Sequence, residues 1–388
     1  MIPYSKQSIS EEDIREVVGI LQSDFLTQGP CVPQFEEAIQ ERFSVKHAVV
    51  CSSGTAALHL AYAGVGAGKD TVGIVPSITF SATANAFLYL GAQVRFCDVD
   101  PATGIICCDS LEAVVRAIQS ESQSESIFVS PVSFAGATAP LDRINLIAQK
   151  YGLKVIEDAS HSPGSFTDSE NCLLQSASCV FSDAACLSFH PVKHICCGEG
   201  GAVLTNDDHI AESARKLRSH GIVRPNDSSH DIPWFYEQNE LGWNYRLTDI
   251  QAGLGRSQLS RLDSQLSKRR SIASMYDMAF NKSPFQDIFD RPPLHAGHAW
   301  HLYIVRFKVQ GHRDQAHKFL KSKGVNTQVH YVPVHKHPFY AEKTGPVSLP
   351  GAEKFYESCL SIPMFPTLTE NEQQKVIQEL MAFCEETR

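Results

Sequence analysis

The 388-residue sequence has no apolar run that approaches the roughly 20 residues needed to cross a bilayer, so a membrane-spanning chain is not expected. Basic residues are outnumbered. Lys and Arg total 34 against 43 Asp and Glu, and the formal net charge of -9 is spread along the chain. A nucleic-acid partner, which needs a basic face, is therefore disfavoured. An anionic small ligand is still permitted, because helix N-termini bind phosphate locally. Despite twelve cysteines there is no Cys-x-x-Cys. Cys107-Cys108 and Cys196-Cys197 are adjacent pairs, which neither bridge easily nor match zinc spacing, so no metal site is expected. Most cysteines read as small core residues. The opening "MIPYSKQSIS" lacks the basic region and apolar core of a secretory signal, and the expectation is a cytoplasmic protein.

The length implies two domains, taken as residues 1–255 and 256–388. From residue 47, strand-like runs alternate with helical ones: "HAVVC", "TVGIV", "QVRFCDV", "SIFVSPV" and "LKVIEDAS" are separated by stretches such as "SSGTAALHLAYAGVG" and "LDRINLIAQKYG". This is the α/β pattern of a mainly parallel sheet between helices, with ligands expected beyond the carboxyl ends of the strands. "QSESQSES" reads as a polar surface loop. Residues 244–280 read as one long helix linking to a smaller α+β C-terminal domain, whose strands are "HLYIVRFKV" and "NTQVHYV". The last helix begins at a capping box of Thr369 and Glu372, with Val376, Ile377, Leu380, Met381 and Cys384 on one apolar face.

Four short motifs carry the chemistry. "CSSGTAAL" follows a strand and opens a helix, where Gly54 permits close backbone approach and first-turn amides can cradle a phosphate; its plainer reading is a helix cap at Ser53. "PSITFSAT" places Phe80 just past a strand, as a cover for a ring or as an ordinary core aromatic. "VIEDASH" ends a buried strand with Asp158, which calls for a cationic partner, and with His161 three residues on. "SFHPVKHICCGEGG" holds Lys193 in an apolar run before a glycine-rich turn. A buried ammonium is costly unless paired or neutralised, and a Schiff base with a carbonyl cofactor neutralises it. By contrast, "AGVGAGKD" fails as a P-loop, because it follows a helix and precedes a strand. A phosphate turn, an aromatic, an acid and a lysine in this order match the parts of pyridoxal 5'-phosphate.

Long stretches resemble the DegT/DnrJ/EryC1/StrS sugar aminotransferases, fold type I pyridoxal-phosphate enzymes: "SDFLTQGPCVPQFEEAI", "SSGTAALHLAY", "LSFHPVKHICCGEGGAVLTN", "ELGWNYRLTDIQAGLG", "AWHLYIVRF" and "GVNTQVHYVPVH". Within that family the chain is most similar to the branch serving pseudaminic acid biosynthesis. The resemblance implies a UDP-linked 4-keto-6-deoxy-N-acetylhexosamine substrate, L-glutamate as amino donor, and a homodimer with shared sites. Other nucleotide-linked keto sugars, or a non-catalytic regulator on the same fold, are the alternatives. By resemblance, Lys193 forms the Schiff base, Asp158 pairs with the ring nitrogen, Phe80 stacks on the ring and His161 adjoins it. The Gly54 and Thr55 amides and the Ser188 hydroxyl hold the phosphate, with Asn244 reaching it from the other subunit. Tyr4, Asp24, Phe25, Leu26, Thr27, Ser53, Gln328, Val329, His330 and Tyr331 fall where relatives line the sugar-nucleotide site. Two features depart from the usual pattern. His161, a choice shared with the pseudaminic-acid branch, stands where many members have Gln, and Cys196-Cys197 replace a Thr-Thr pair.

Overall fold

A computed structural model describes residues 1–121, 126–169, 172–224, 234–293 and 297–387. Its centre is a seven-stranded sheet in the order His47–Cys51, Gly201–Thr205, Ala184–Ser188, Lys154–Asp158, Ser126–Val129, Thr71–Pro76, Gln93–Cys97. All neighbours are parallel except those of Gly201–Thr205, which pairs antiparallel with both of its partners. The exception follows from chain length. Only residues 189–200 join Ala184–Ser188 to Gly201–Thr205, the short limit for a crossover, and they form no helix; the chain folds straight back beside the strand it left. That return loop contains Lys193.

Several strands are buried throughout, as sheets covered on both faces must be. The helix Gly54–Gly64 is itself buried on nearly all sides, consistent with its run of Ala and Leu. It stops where "AGVGAGKD" begins, and Gly66 turns the chain at φ +91°. Among the described residues, nine cysteines are buried, from Cys51 in the first strand to Cys384 in the last helix, and Cys31 and Cys107 are partly covered.

The linking segment differs from expectation. Residues 244–280 form two helices, Asp249–Ser260 and Leu262–Phe280, broken at Arg261. The first begins at a Thr248 capping box with Gln251, so residues 244–247 precede it. At the break, the Arg261 guanidinium pairs with Asp13, a fully buried carboxylate that also accepts from Ser257 (2.6 Å) and Gln258 (2.7 Å). The Asp13 anchor thus holds the N-terminal helix against the joint, a long-range contact invisible in local periodicity.

The C-terminal residues build a three-stranded antiparallel sheet of Phe289–Asp290, Tyr303–Phe307 and Cys359–Ile362. "NTQVHYV" does not form the expected strand; it is a connection with one bridge, Gln328 to Ser361. The closing helix Glu370–Glu386 starts at the Thr369–Glu372 capping box and buries Val376, Ile377, Leu380 and Cys384, with Met381 partly covered. Ile2 joins this C-terminal core through backbone bonds to Gly324 (2.8 Å) and Asn326 (2.9 Å). Half of "QSESQSES" lies outside the described residues; its first three residues end the helix Cys108–Glu121 and its last, Ser126, opens the strand Ser126–Val129.

Candidate active site

The carboxyl ends of the central strands meet at a cavity of about 690 Å³. Its wall includes Ser53, Gly54, Thr55, Phe80, Asp158, His161, Ser188 and Lys193 from the large sheet, and Tyr4 and Gln328–Tyr331 from segments bound to the C-terminal core. Motifs up to 140 residues apart in the chain are therefore assembled at one place, as the order of strands predicts.

The cup around Gly54 is built by the helix start. Ser53 is an extended N-cap whose Oγ accepts from the Ala56 N–H (3.1 Å), and its carbonyl accepts from Ala57 (3.0 Å). This is the cap that the plainer reading of the motif expected. It leaves the Gly54 and Thr55 amides as the uncommitted donors of the turn. The cup is closed by Ser188, two strands over from His47–Cys51, and it has room for a small anion only because residue 54 has no side chain.

Asp158 ends its strand almost fully buried. Its two oxygens are fixed separately: Oδ2 accepts from Thr83 Oγ1 (2.8 Å), Oδ1 from the Ser160 hydroxyl (2.6 Å) and amide (3.1 Å). Thr83 is held in turn by Thr79 (2.7 Å). No arginine joins the wall. Among the described residues no ion pair to Asp158 is formed; Lys193 is the cation of the same wall that the carboxylate influences, which leaves the place of a cationic partner to a bound ring nitrogen. Burial lowers the Lys193 ammonium from its ordinary value near 10.5 to about 8, with Asp158 pulling in the opposite direction. A lysine so placed is readily neutral, which is what Schiff-base chemistry requires.

His161 is buried against Phe134, with ring centroids 5.7 Å apart, and its Nε2 meets the Tyr331 hydroxyl at 3.2 Å. Burial, then the nearby Lys193, push its pKa well below 6.5, so the ring is neutral. Its Nδ1 is buried without a hydrogen-bond partner. Phe80 is 59% exposed, inclined to Tyr331 at 6.1 Å, and free to cover a ring; it is not the core aromatic that the plainer reading allowed.

Two groups of expected residues do not line this cavity. Asp24–Thr27 and Asn244 are all exposed and lie elsewhere on the surface. Residues 26 and 27 are tied to the start of the helix Asp249–Ser260: Leu26 O accepts from the Asp249 N–H (3.0 Å), and Thr27 bridges to Thr248. Asn244 does not cap the helix that follows, since Thr248 does; it bridges to Ser219 instead. Cys196 and Cys197 also stay out of the cavity wall, with the Cys197 thiol donating to Glu199 O at 3.1 Å. Sequence reading missed Thr83 and Ser160, which anchor Asp158, and His301, which lines the cavity. Hydroxyls two residues after the acid and in "PSITFSAT" were the available signal for the first two.

Uncommitted amides at a glycine turn, a facing serine, a fixed buried acid, an exposed aromatic and a lysine of lowered pKa fit the phosphate, ring and carbonyl of pyridoxal phosphate. Residues 7–381 match the model of the DegT/DnrJ/EryC1/StrS aminotransferase family, and the chain belongs to that family. It is a pyridoxal-phosphate-dependent sugar aminotransferase. The chain is 36% identical to the UDP-4-amino-4,6-dideoxy-N-acetyl-beta-L-altrosamine transaminase of Campylobacter jejuni, covering 100% of this chain and 99% of that one. It is 35% identical to the spore coat polysaccharide biosynthesis protein SpsC of Bacillus subtilis, over 97% and 95% of the two chains. Among solved structures, Helicobacter pylori PseC, an aminotransferase of pseudoaminic acid biosynthesis, superimposes with a TM-score of 0.89 at 29% identity, covering 99% of each chain. No described helix is long and apolar enough to cross a membrane.

Proposed function

We propose that this enzyme transfers the amino group of L-glutamate to C4 of UDP-2-acetamido-2,6-dideoxy-β-L-arabino-hex-4-ulose, giving UDP-4-amino-4,6-dideoxy-N-acetyl-β-L-altrosamine and 2-oxoglutarate. The observation that carries the transamination is Lys193, with its lowered pKa, sharing one cavity with the fixed Asp158 carboxylate and the Gly54 cup. The altrosamine transaminase at 36% identity supports the choice of sugar.

Pyridoxal phosphate, when bound, supplies the carbonyl that takes up the amino group and the conjugated ring that draws electrons from the carbon losing its proton. The Gly54 and Thr55 amides and Ser188 would hold its phosphate, and Asp158 its ring nitrogen. Phe80 would cover a face of the ring, and His161, with its unpartnered Nδ1, would adjoin it. The proton work belongs to Lys193. As a neutral amine it takes the proton from the donor's α-carbon and returns it within the same cavity. Asp158, held by Thr83 and Ser160, cannot swing away while the proton moves. With the keto sugar as second substrate, the same Lys193 nitrogen runs the transfer in the opposite sense, delivering a proton to C4.

We further propose a homodimer in the cytoplasm, in which Asn244 and Asp24–Thr27 complete the partner's site. Their exposure and their absence from the wall of their own chain's cavity support this reading. The substrate assignment is tested by offering purified enzyme a panel of UDP-linked 4-keto sugars with L-glutamate and identifying the aminated product. Turnover of the β-L-arabino ketone above the others is expected. A preference for a C5-epimeric or non-acetylated ketone would overturn the choice of sugar.

A further inference from the structure

His301 lines the cavity, is only 2% exposed, and has no role in the proton chemistry above. Its ring packs on His161 at 4.3 Å between centroids, inclined 36°, and on His194 at 5.3 Å. The stack is fixed from behind. Arg269 Nη1, on a fully buried side chain, donates to Trp300 O (3.0 Å), His301 O (3.3 Å) and Met364 O (3.2 Å). Gly136 lies so close that a Cβ there would meet Trp300 N at 2.6 Å and His301 N at 2.7 Å. His194 Nε2 is bound to Ala299 O at 2.9 Å; a carbonyl only accepts, so Nε2 carries the proton of His194.

The titratable groups facing His161 are Lys193 and His194 from the return loop, His301 from the segment before Tyr303–Phe307, and His330 and Tyr331. None of these is a carboxylate. Each of His161, His194 and His301 keeps its Nδ1 buried without a partner. An imidazolium in this stack would have no counter-charge and would repel the Lys193 ammonium.

We propose that His301 is a positioning residue for transamination: packed against His161, it keeps that ring dry, fixed and uncharged, leaving Lys193 the single proton carrier of the site. The role rests on ring contact rather than on a hydrogen bond. Burial pushes both His161 and His301 well below their ordinary pKa, in keeping with this role. Removing the ring admits water to His161, raises its proton affinity and loosens its orientation.

The inference rests on the aminotransferase reading of the cavity. Its test compares His301→Ala and His301→Phe with the wild-type holoenzyme, reading kcat and KM separately, the pH profile of kcat/KM, and the pH dependence of the cofactor's visible band. His301→Ala is expected to lower kcat by about 10- to 100-fold, the scale of a small misplacement near the chemistry, with a smaller change in KM. Its acid limb should move to higher pH, in the kinetics and in the band alike. His301→Phe keeps the packed face and should restore most of kcat with the wild-type pH profile. If His301→Ala does not fold, His301→Leu takes its place as the variant without a ring. A ringless variant that matches wild type in rate and pH profile overturns the proposal, as does a His301→Phe variant damaged as badly as His301→Ala. A wild-type enzyme that carries no cofactor at Lys193 would instead sink the reading of the site itself.

Discussion

Gly54 stands against Ser188 so closely that a Cβ at position 54 would lie 2.8 Å from the Ser188 Cβ and 3.0 Å from its Oγ. The cup for the cofactor phosphate is set by that approach. Gly54→Ala is expected to displace the Ser188 hydroxyl and to overpack the site by about 1–3 kcal/mol, weakening cofactor affinity roughly 10- to 100-fold. Titration of cofactor-free protein with pyridoxal phosphate, followed by absorbance, measures it; unchanged affinity would mean that this turn is not the phosphate cup.

Asp158→Asn keeps the size of the side chain and removes its charge. Thr83 and Ser160 hold the position from both sides, so the fold should survive. The expected result is a fall in kcat of roughly 10²-fold or more, with a much smaller loss of cofactor binding. Normal turnover in this variant would refute the pairing of Asp158 with the ring nitrogen.

Burial lowers the Lys193 pKa to about 8, so in the cofactor-free enzyme the amine is charged below that pH and neutral above it. Only the neutral amine attacks a carbonyl. The rate of cofactor uptake should therefore rise with pH through a midpoint near 8, where a solvated lysine would put it near 10.5. Stopped-flow measurement of band formation against pH reads the midpoint directly. A rate still rising steeply past pH 10 would show that the lysine is hydrated.

Asn244 and Lys193 should complement each other between subunits. Lys193→Ala and an Asn244 variant, each inactive alone, are mixed under conditions in which subunits exchange. A heterodimer then holds one site with both lesions and one with neither, so up to about half the activity per dimer returns. No recovery despite exchange would place Asn244 in its own chain's site.

Much of this was legible in the sequence, for identifiable reasons. The strands and the Gly54, Asp158 and Lys193 motifs are local: each needs only a β-branched run and the residues just past its end. The capping box at Thr369 is equally local and was read correctly. What escaped depends on distant partners. The break at Arg261 comes with its bond to Asp13, 248 residues away, while the helical pattern continues through it. "NTQVHYV" alternates like a strand, yet a single bridge to Ser361 is all the pairing it has. His301 gains its meaning only from His161 and His194, which lie in two other segments.

The central claim is that Lys193 carries the cofactor. Borohydride reduction of the holoenzyme, proteolysis and mass spectrometry of the peptides test it most directly. The account predicts a single cofactor-bearing peptide containing Lys193, with the label absent from Lys193→Ala. A label on any other lysine, or its persistence in Lys193→Ala, would contradict it.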